Sequence, residues 1–402
     1  MKMWSKMNPD DFPTPDEPVD ELSATELKRR IDAGEAVTIL DVRVEGDFEE
    51  WRIDGDAVDI ENIPYYEFLD DVDDDLLDRV PEGDPLVVLC AKGGASEYVA
   101  GLLAEQGRDV VHLKDGMNGW ARLYDRIAVE GYDGPGAVYQ YQRPSSGCLA
   151  YLVVSDGEAA VIDPLRAFTD RYLDDAAELD ATLKYAIDTH IHADHVSGVR
   201  ELDDEGVRGI IPAAAVDRGV TYADVIETVE DGDVLSVGDV DIEVVYTPGH
   251  TTGMTSYLVG DSLLATGDGL FIESVARPDL EEGDEGAPDA ARTLYESLQE
   301  RVLTLPDETL VGGAHFSDAA TPADDGTYTA PLGDLKDRMD ALSMDEEAFV
   351  DLILSDMPPR PGNYEDIIAT NLGQQTADDD EAFELELGPN NCAASQESLA
   401  GD

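Results

Sequence analysis

Residues 189–195 read THIHADH and place His190, His192, Asp194 and His195 within six positions, directly after the apolar run 184–187. Of the six histidines in the chain, three sit in this stretch, and His112, His250 and His315 are the others. His250 and His315 each follow a strand-like segment and lie in a short glycine-bearing turn, TPGHTTG (247–253) and GGAHFSD (312–318). Five histidines thus occupy one kind of place, the loop leaving a strand. Imidazoles and carboxylates delivered from several rigid strand ends close round a metal ion more accurately than one flexible segment does.

Ahead of that cluster the chain reads as a separate alpha/beta segment. Ser23 and Glu26 have capping-box spacing before a short helical pattern; 37–40 and 85–89 read as buried strands, 97–105 as a helix and 109–113 as a further strand, closing at GMNGW (116–120). This rhythm predicts a compact parallel sheet flanked by helices. Glycines and prolines around 131–144 suggest a seam. Beyond it the strand signals shorten: 150–154 and 159–162 joined by SDGE as a hairpin, then 184–187, 241–246, 255–259 and 262–265. Residues 290–302 predict a helix with Leu294, Leu298 and Val302 on its buried face. The expected division is a flexible arm over 1–20, a first domain over 20–125, a strand-rich domain over 135–330, and a helical carboxyl-terminal extension with an acidic tail over 331–402.

Against 26 Lys and Arg stand 91 Asp and Glu, a formal charge of -65 spread along 402 residues. Such a field repels nucleic acid and anionic membranes. Molar salt shortens the screening length to about 3 Å and makes the charge tolerable, so a salt-rich cytoplasm is the expected setting. Three cysteines, Cys90, Cys148 and Cys392, are too few for a secreted disulfide framework. The start lacks a signal-like apolar segment, and no run of about 18 apolar residues occurs, which again points to the cytoplasm. Cys148, just before an apolar strand, reads as core, and Cys392 near the acidic end as incidental.

The HxHxDH pattern, PGHT (248–251), TGD (266–268) and the final His315 resemble the metallo-beta-lactamase superfamily over roughly 135–330. The resemblance implies a four-layer alpha-beta/beta-alpha sandwich with a metal at one edge of two packed sheets. The stretches YQRPSSGCLAYLV, VIDPL, HTTGMTSYLVG, LLATGDGLFIESVARPDL and LYESLQERVLTLPDETLVGGAH look most like persulfide dioxygenases of the ETHE1-like branch. That likeness implies one Fe(II) held by His190, His250 and Asp268, with a low-molecular-weight thiol persulfide oxidised by O2 to sulfite and thiol. Two imidazoles and one carboxylate are themselves a donor set suited to Fe(II) with open positions. His192, Asp194, His195 and His315 are expected in the outer shell or as ligands of a second metal. Arg277, matching the family's arginine beyond TGD, is a catalytic candidate through the inner shell or an anionic substrate, and Tyr257 is a candidate pocket residue.

The same side chains admit a second reading. His190, His192 and His250 on one Zn(II), and Asp194, His195 and His315 on another with Asp268 bridging, would activate water for thioester hydrolysis as in glyoxalase II-like enzymes. A non-catalytic sulfur-carrier or binding protein that kept both folds is a third.

Cys90 opens the loop CAKGGAS (90–96) between a strand and a helix, where converging backbone N–H groups favour a thiolate and hold anionic sulfur. With LDVR (40–43) and GMNGW, residues 20–125 resemble a single rhodanese domain. The resemblance implies Cys90 as a sulfur-carrying nucleophile, with thiosulfate or sulfite as partners. Ala95 stands where many active rhodanese loops carry arginine, so anion binding is expected from Lys92, Gly93, Gly94 and Ser96. PPRPGNYEDIIATN (358–371) resembles an extension of rhodanese-containing members of this group, expected to cover the metal domain or to mediate a homo-oligomer contact.

Overall fold

The computed structural model describes residues 12–13, 18–69, 72–317, 319–355, 357–388, 391–394 and 399. Most of the expected arm over 1–20 and of the acidic tail lies outside the described residues. Within the arm, Phe12 packs edge-on against Tyr65 with ring centroids 5.3 Å apart. The chain divides into two compact units, Met1–Leu123 and Tyr124–Asp402.

The first unit runs β1 (Asp20–Leu22), α1 (Ala24–Asp32), β2 (Val37–Asp41), α2 (Glu45–Glu50), β3 (Val58–Asn62), α3 (Asp74–Leu77), β4 (Leu86–Leu89), α4 (Gly94–Glu105), β5 (Val110–Leu113) and α5 (Gly116–Ala121). Its sheet has the order β1-β5-β4-β2-β3 with every pairing parallel. The central strand LVVL is apolar throughout because both faces are covered: Val88 packs with Val99 and Leu103 of α4, and Val87 and Leu89 with Leu27 of α1 and Met117 of α5. Ser23 caps α1 by accepting from the Glu26 amide, but the Glu26 carboxylate turns to Arg29 and Arg30 instead of completing a capping box.

The second unit begins with β6 (Asp125–Ala128), β7 (Ala137–Arg143), β8 (Cys148–Ser155), β9 (Glu158–Ile162), α6 (Thr169–Glu178), β10 (Thr182–Ile187), α7 (Val199–Asp204), β11 (Arg208–Pro212) and β12 (Glu227–Val229). These strands form one sheet in the order β12-β11-β10-β9-β8-β7-β6. There follow β13 (Val234–Val237), β14 (Val240–Tyr246), β15 (Thr255–Val259), β16 (Leu263–Gly267), α8 (Gly283–Ser297), β17 (Leu310–Gly313), β18 (Ala330–Pro331), α9 (Leu332–Arg338), α10 (Glu346–Ser355), α11 (Tyr364–Asn371) and α12 (Asp379–Leu385). The second sheet has the order β13-β14-β15-β16-β17-β18.

The two sheets pack face to face: Tyr151, Ile162 and Ile187 of the first share a core with Ile242, Tyr257 and Ala265 of the second. Tyr172 and Leu202 from α6 and α7 cover the outer face of the first sheet, and Leu294, Leu335 and Phe349 from α8, α9 and α10 cover that of the second. The result is the four-layer sandwich that the resemblance implies.

Strand β7 lies inside the stretch that reads in sequence as a seam. Its buried Gln140 and Gln142 break the apolar alternation and are satisfied by Tyr151, Tyr328 and Gly326. Asp156 and Gly157 turn the β8–β9 hairpin with φ of 44° and 77°, the left-handed pair that matches strand twist. Helix α8 begins at Gly283, ahead of the expected 290, and widens into a π-helical turn over Leu298–Val302, keeping Leu294, Leu298 and Val302 buried. Tyr257 packs in the core between the two sheets; it is fully buried and its hydroxyl donates to the Asp188 carbonyl at 3.0 Å.

Among the described residues no helix is long and apolar enough to cross a membrane. With 91 acidic against 26 basic side chains, raising KCl from about 0.1 to about 2 M is expected to lift the thermal midpoint by roughly 10 °C through screening. A midpoint in scanning calorimetry that stays flat or falls over that range counts against charge repulsion as the main destabilising force.

Candidate metal centre

Strands β14 and β16 both pair antiparallel to β15, and β17 pairs parallel to β16, so β14, β16 and β17 point the same way. His250, Asp268 and His315 follow their carboxyl ends, while His190 and the rest of its loop follow β10. Two glycines permit the approach. A Cβ on Gly267, whose φ is 53°, would lie 2.5 Å from the Thr189 hydroxyl, and one on Gly249, at φ 142°, would lie 2.4 Å from the Cα of Leu294.

Each ligand candidate is oriented from behind. Thr189 Oγ1 donates its only hydrogen to Asp163 Oδ2 at 3.0 Å, so its 2.9 Å contact with His190 Nδ1 is one it accepts. His190 therefore carries its proton on Nδ1 and presents a bare Nε2. His250 Nδ1 donates to the Arg277 carbonyl at 2.8 Å, with the same consequence. Asp268 accepts from His315 Nδ1 on Oδ1 at 2.6 Å, which leaves Oδ2.

The three remaining atoms meet. His190 Nε2 and His250 Nε2 lie 3.7 and 3.5 Å from Asp268 Oδ2, all three side chains are buried, and among the described residues none of these atoms has a hydrogen-bond partner. Lone pairs facing one another in a buried interior are a cost that a shared cation removes, and metal bonds of about 2.0–2.2 Å fit those separations. Burial keeps His190 well below the ordinary imidazole pKa and His250 below it, so both are neutral as a ligand must be. Burial would raise the Asp268 carboxyl, but the neighbouring His315 charge and hydrogen bond hold it below the usual range.

The other histidines are engaged differently. Burial pushes His192 down, yet Asp163, 3.1 Å from its Nε2, carries it up to about 9. It groups with Asp163 and Asp188, outside the convergence of His190, His250 and Asp268. His315 donates from both ring nitrogens, to Asp268 and at 2.6 Å to Asp194; against burial, those carboxylates hold it well above its ordinary value. Asp194 Oδ2 also accepts from His195 Nδ1 and from Cys148 Sγ, each at 3.2 Å.

Two cysteines therefore stand closer to this chemistry than sequence reading suggests. Cys148 is buried as expected, but its thiol belongs to a group with Asp194, His195 and His315. Cys392 is fully buried and not incidental: Asp194, Asp268, His315 and Cys392 offer donor atoms all within 4.8 Å of one another. Nothing in the local sequence of Cys392 signals this, because its backbone is carried to the site by a bridge between Ala393 and Ala276. Arg277 is also buried, but its guanidinium is held by Asp279 and by the carbonyls of Pro359 and Asn391.

In the first unit Cys90 follows β4 and is buried beside the start of α4. The Gly93 amide donates to its sulfur at 3.1 Å, and the thiol donates to Ser96 Oγ at 3.4 Å. Ser96 in turn donates to the Gly93 carbonyl at 2.8 Å, so it braces the loop, while Gly93 occupies the cap position of α4. Gly116, at φ 54°, sits against the Cys90 carbonyl where a Cβ would be 2.1 Å away. Lys92 is half-buried, and Gly94 and Ala95 are buried in the first turn of α4.

A model of the metallo-beta-lactamase superfamily matches residues 144–315, and a rhodanese-like domain model matches residues 23–123. The mitochondrial persulfide dioxygenase ETHE1 of Homo sapiens is 33% identical over 189 residues, 46% of this chain and 70% of that one. A hydroxyacylglutathione hydrolase of Brucella anthropi is 34% identical over 175 residues, 41% of this chain and 63% of that one. Among solved structures, ETHE1 from Myxococcus xanthus is 30% identical with a TM-score of 0.50, covering 59% of this chain and 98% of that one.

Replacing His190, His250 or Asp268 by alanine is expected to lower bound metal after dialysis by about tenfold or more, while His192→Ala lowers it by less than about tenfold. Elemental analysis by mass spectrometry reads the result, and an equal loss in His192→Ala would put that imidazole on the metal.

Proposed function

The chain belongs to the metallo-beta-lactamase superfamily, in its ETHE1 persulfide dioxygenase branch, with a rhodanese-like domain ahead of the metal domain, and on that premise we propose that it oxidises a low-molecular-weight thiol persulfide with O2. Sulfite and the thiol are the products: the terminal sulfur is oxidised, O2 is the oxidant, water supplies the remaining oxygen, and the thiol leaves with the S–S bonding pair. The observation that supports this reading is the convergence of three unpartnered donors, two neutral imidazoles and one carboxylate, on one point.

Such a set suits Fe(II), which when bound supplies open positions for sulfur and O2 and the redox chemistry that closed-shell zinc lacks. His190, His250 and Asp268 would hold it. Thr189 and the Arg277 carbonyl fix the two imidazole tautomers, and His315 turns one oxygen of Asp268 away, leaving the other for the ion. We assign Arg277 to holding His250 and not to substrate, since its guanidinium is already engaged by Asp279 and two carbonyls. His192, Asp194, His195 and His315 keep protons and carboxylates matched behind the site.

In the first domain, over about 20–125, Cys90 carries sulfane sulfur between thiosulfate and a thiol. Its thiolate attacks the outer sulfur, forms a Cys–S–S bond and releases sulfite with the electron pair of the broken bond. Lys92 and the amides of the 90–96 loop hold the anion in place of the absent arginine. A salt-rich cytoplasm is the proposed setting for both activities.

The two-zinc thioester hydrolase is the rival, and Asp194 Oδ1 and His195 Nε2, also without partners, speak for it. His192 Nδ1, buried and without a partner among the described residues, could join a metal while its Nε2 stays on Asp163, whereas His315 would have to exchange its carboxylate partners for a metal.

Anaerobically purified protein is expected to carry about one iron per chain and, on adding glutathione persulfide, to consume O2 with matching sulfite release. Two firmly held zinc ions with thioester hydrolysis and no O2 uptake would overturn this. Cys90→Ser is expected to lower thiosulfate-to-thiol transfer by about a thousandfold while sparing O2 uptake; transfer at the parent rate would show that Cys90 is not the carrier.

A further inference from the structure

The loop that carries His190, His192, Asp194 and His195 is irregular, and its backbone is held by side chains from far along the chain. Asn371, the last residue of α11, donates from Nδ2 to the carbonyls of His192 at 3.0 Å and His195 at 2.8 Å, and its Oδ1 accepts from the Ser197 amide at 2.9 Å. Glu386, just after α12, accepts from the Val196 amide at 2.9 Å and pairs with Arg143 at 2.7 Å, both side chains at most 1% exposed.

Asn371 is itself fixed. Arg200 donates to the Thr370 carbonyl at 2.9 Å, Tyr222 to that of Asn371 at 2.7 Å, and the Thr221 amide to that of Leu372 at 2.9 Å. The second ligand is tied to the same extension, because Arg277, whose carbonyl orients His250, donates from its guanidinium to the carbonyls of Pro359 and Asn391 and from its amide to that of Cys392.

A carboxamide is planar, with two donors and an acceptor at fixed angles. Bonded at all three, Asn371 sets the separation of the His192 and His195 carbonyls and so the path of the backbone that delivers His190. Buried amides whose every group is satisfied are costly to alter because any substitute leaves a loop group unpaired.

We propose that the carboxyl-terminal extension is a working part of the metal centre and that Asn371 is its positioning residue, holding the 190–197 loop so that His190 Nε2 meets His250 and Asp268. The inference rests on the single-ion reading of that site.

The test is Co(II) binding to the metal-free full chain, by chelator competition and by the visible spectrum of the bound ion. Asn371→Asp, which keeps the acceptor and loses both donors, is expected to weaken Co(II) binding by about 10- to 100-fold and to change the spectrum, with far-ultraviolet circular dichroism as in the parent. Tight parent binding with affinity and spectrum unchanged in Asn371→Asp overturns this proposal alone, whereas a parent chain that binds no Co(II) overturns the metal reading and this proposal with it. Should Asn371→Asp not fold, hydrogen exchange on the metal-free parent decides: slow exchange of the Val196 and Ser197 amides together with α11 supports the clamp, and fast exchange sinks it.

Discussion

Two imidazole lone pairs and a carboxylate oxygen face one another in a buried interior with no proton among them, and much of the second unit serves to keep them there. Each unpaired buried polar group costs about 1–3 kcal/mol, so the arrangement persists only where the surroundings over-determine it. Here they do so three times: Thr189 and Asp163 lock one imidazole, the Arg277 carbonyl locks the other, and His315 occupies the far oxygen of Asp268. The parallel sense of β14, β16 and β17, and the glycines at 249 and 267, bring the carriers of those atoms to one edge. The sandwich is a means of holding donors that repel one another until an ion is shared.

The parts of this arrangement that are local in sequence are also those that sequence reading reaches. The strands 255–259 and 184–187 announce themselves by apolar runs, and the 189–195 cluster by its density of histidine. Strand β7 does not, because glutamines on its buried face mimic a loop until their partners Tyr151, Tyr328 and Gly326 are in place. The likeness to a known superfamily supplies the strand order, which no periodicity contains. Asn371, Glu386 and Cys392 are invisible in sequence for a plain reason: an amide, a carboxylate and a thiol in a polar, acidic stretch look the same whether they face water or a buried loop.

The large negative charge does not extend into the site as an unbalanced field. His315, His195 and His192 are each drawn to the protonated state by adjacent carboxylates, so charge there is arranged in matched pairs. Arg277, the cation best placed by sequence to draw in an anion, is neutralised by Asp279. On the proposed reading, a bound ion would then supply positive charge for an anionic sulfur species in the metal domain, and the surrounding acids weigh against it less as salt shortens their reach.

The amides of Val196 and Ser197 are bonded to side chains 190 and 174 residues further along. At synthesis rates of about 5–20 residues per second, roughly 10–40 s separate the appearance of the histidine loop from that of its fasteners. Late in that interval, once residue 268 has been added, the nascent chain holds His190, His250 and Asp268 but not the side chains that fasten the histidine loop. On the proposed reading of the site, choice of ion would then fall to the completed chain and not to the emerging one.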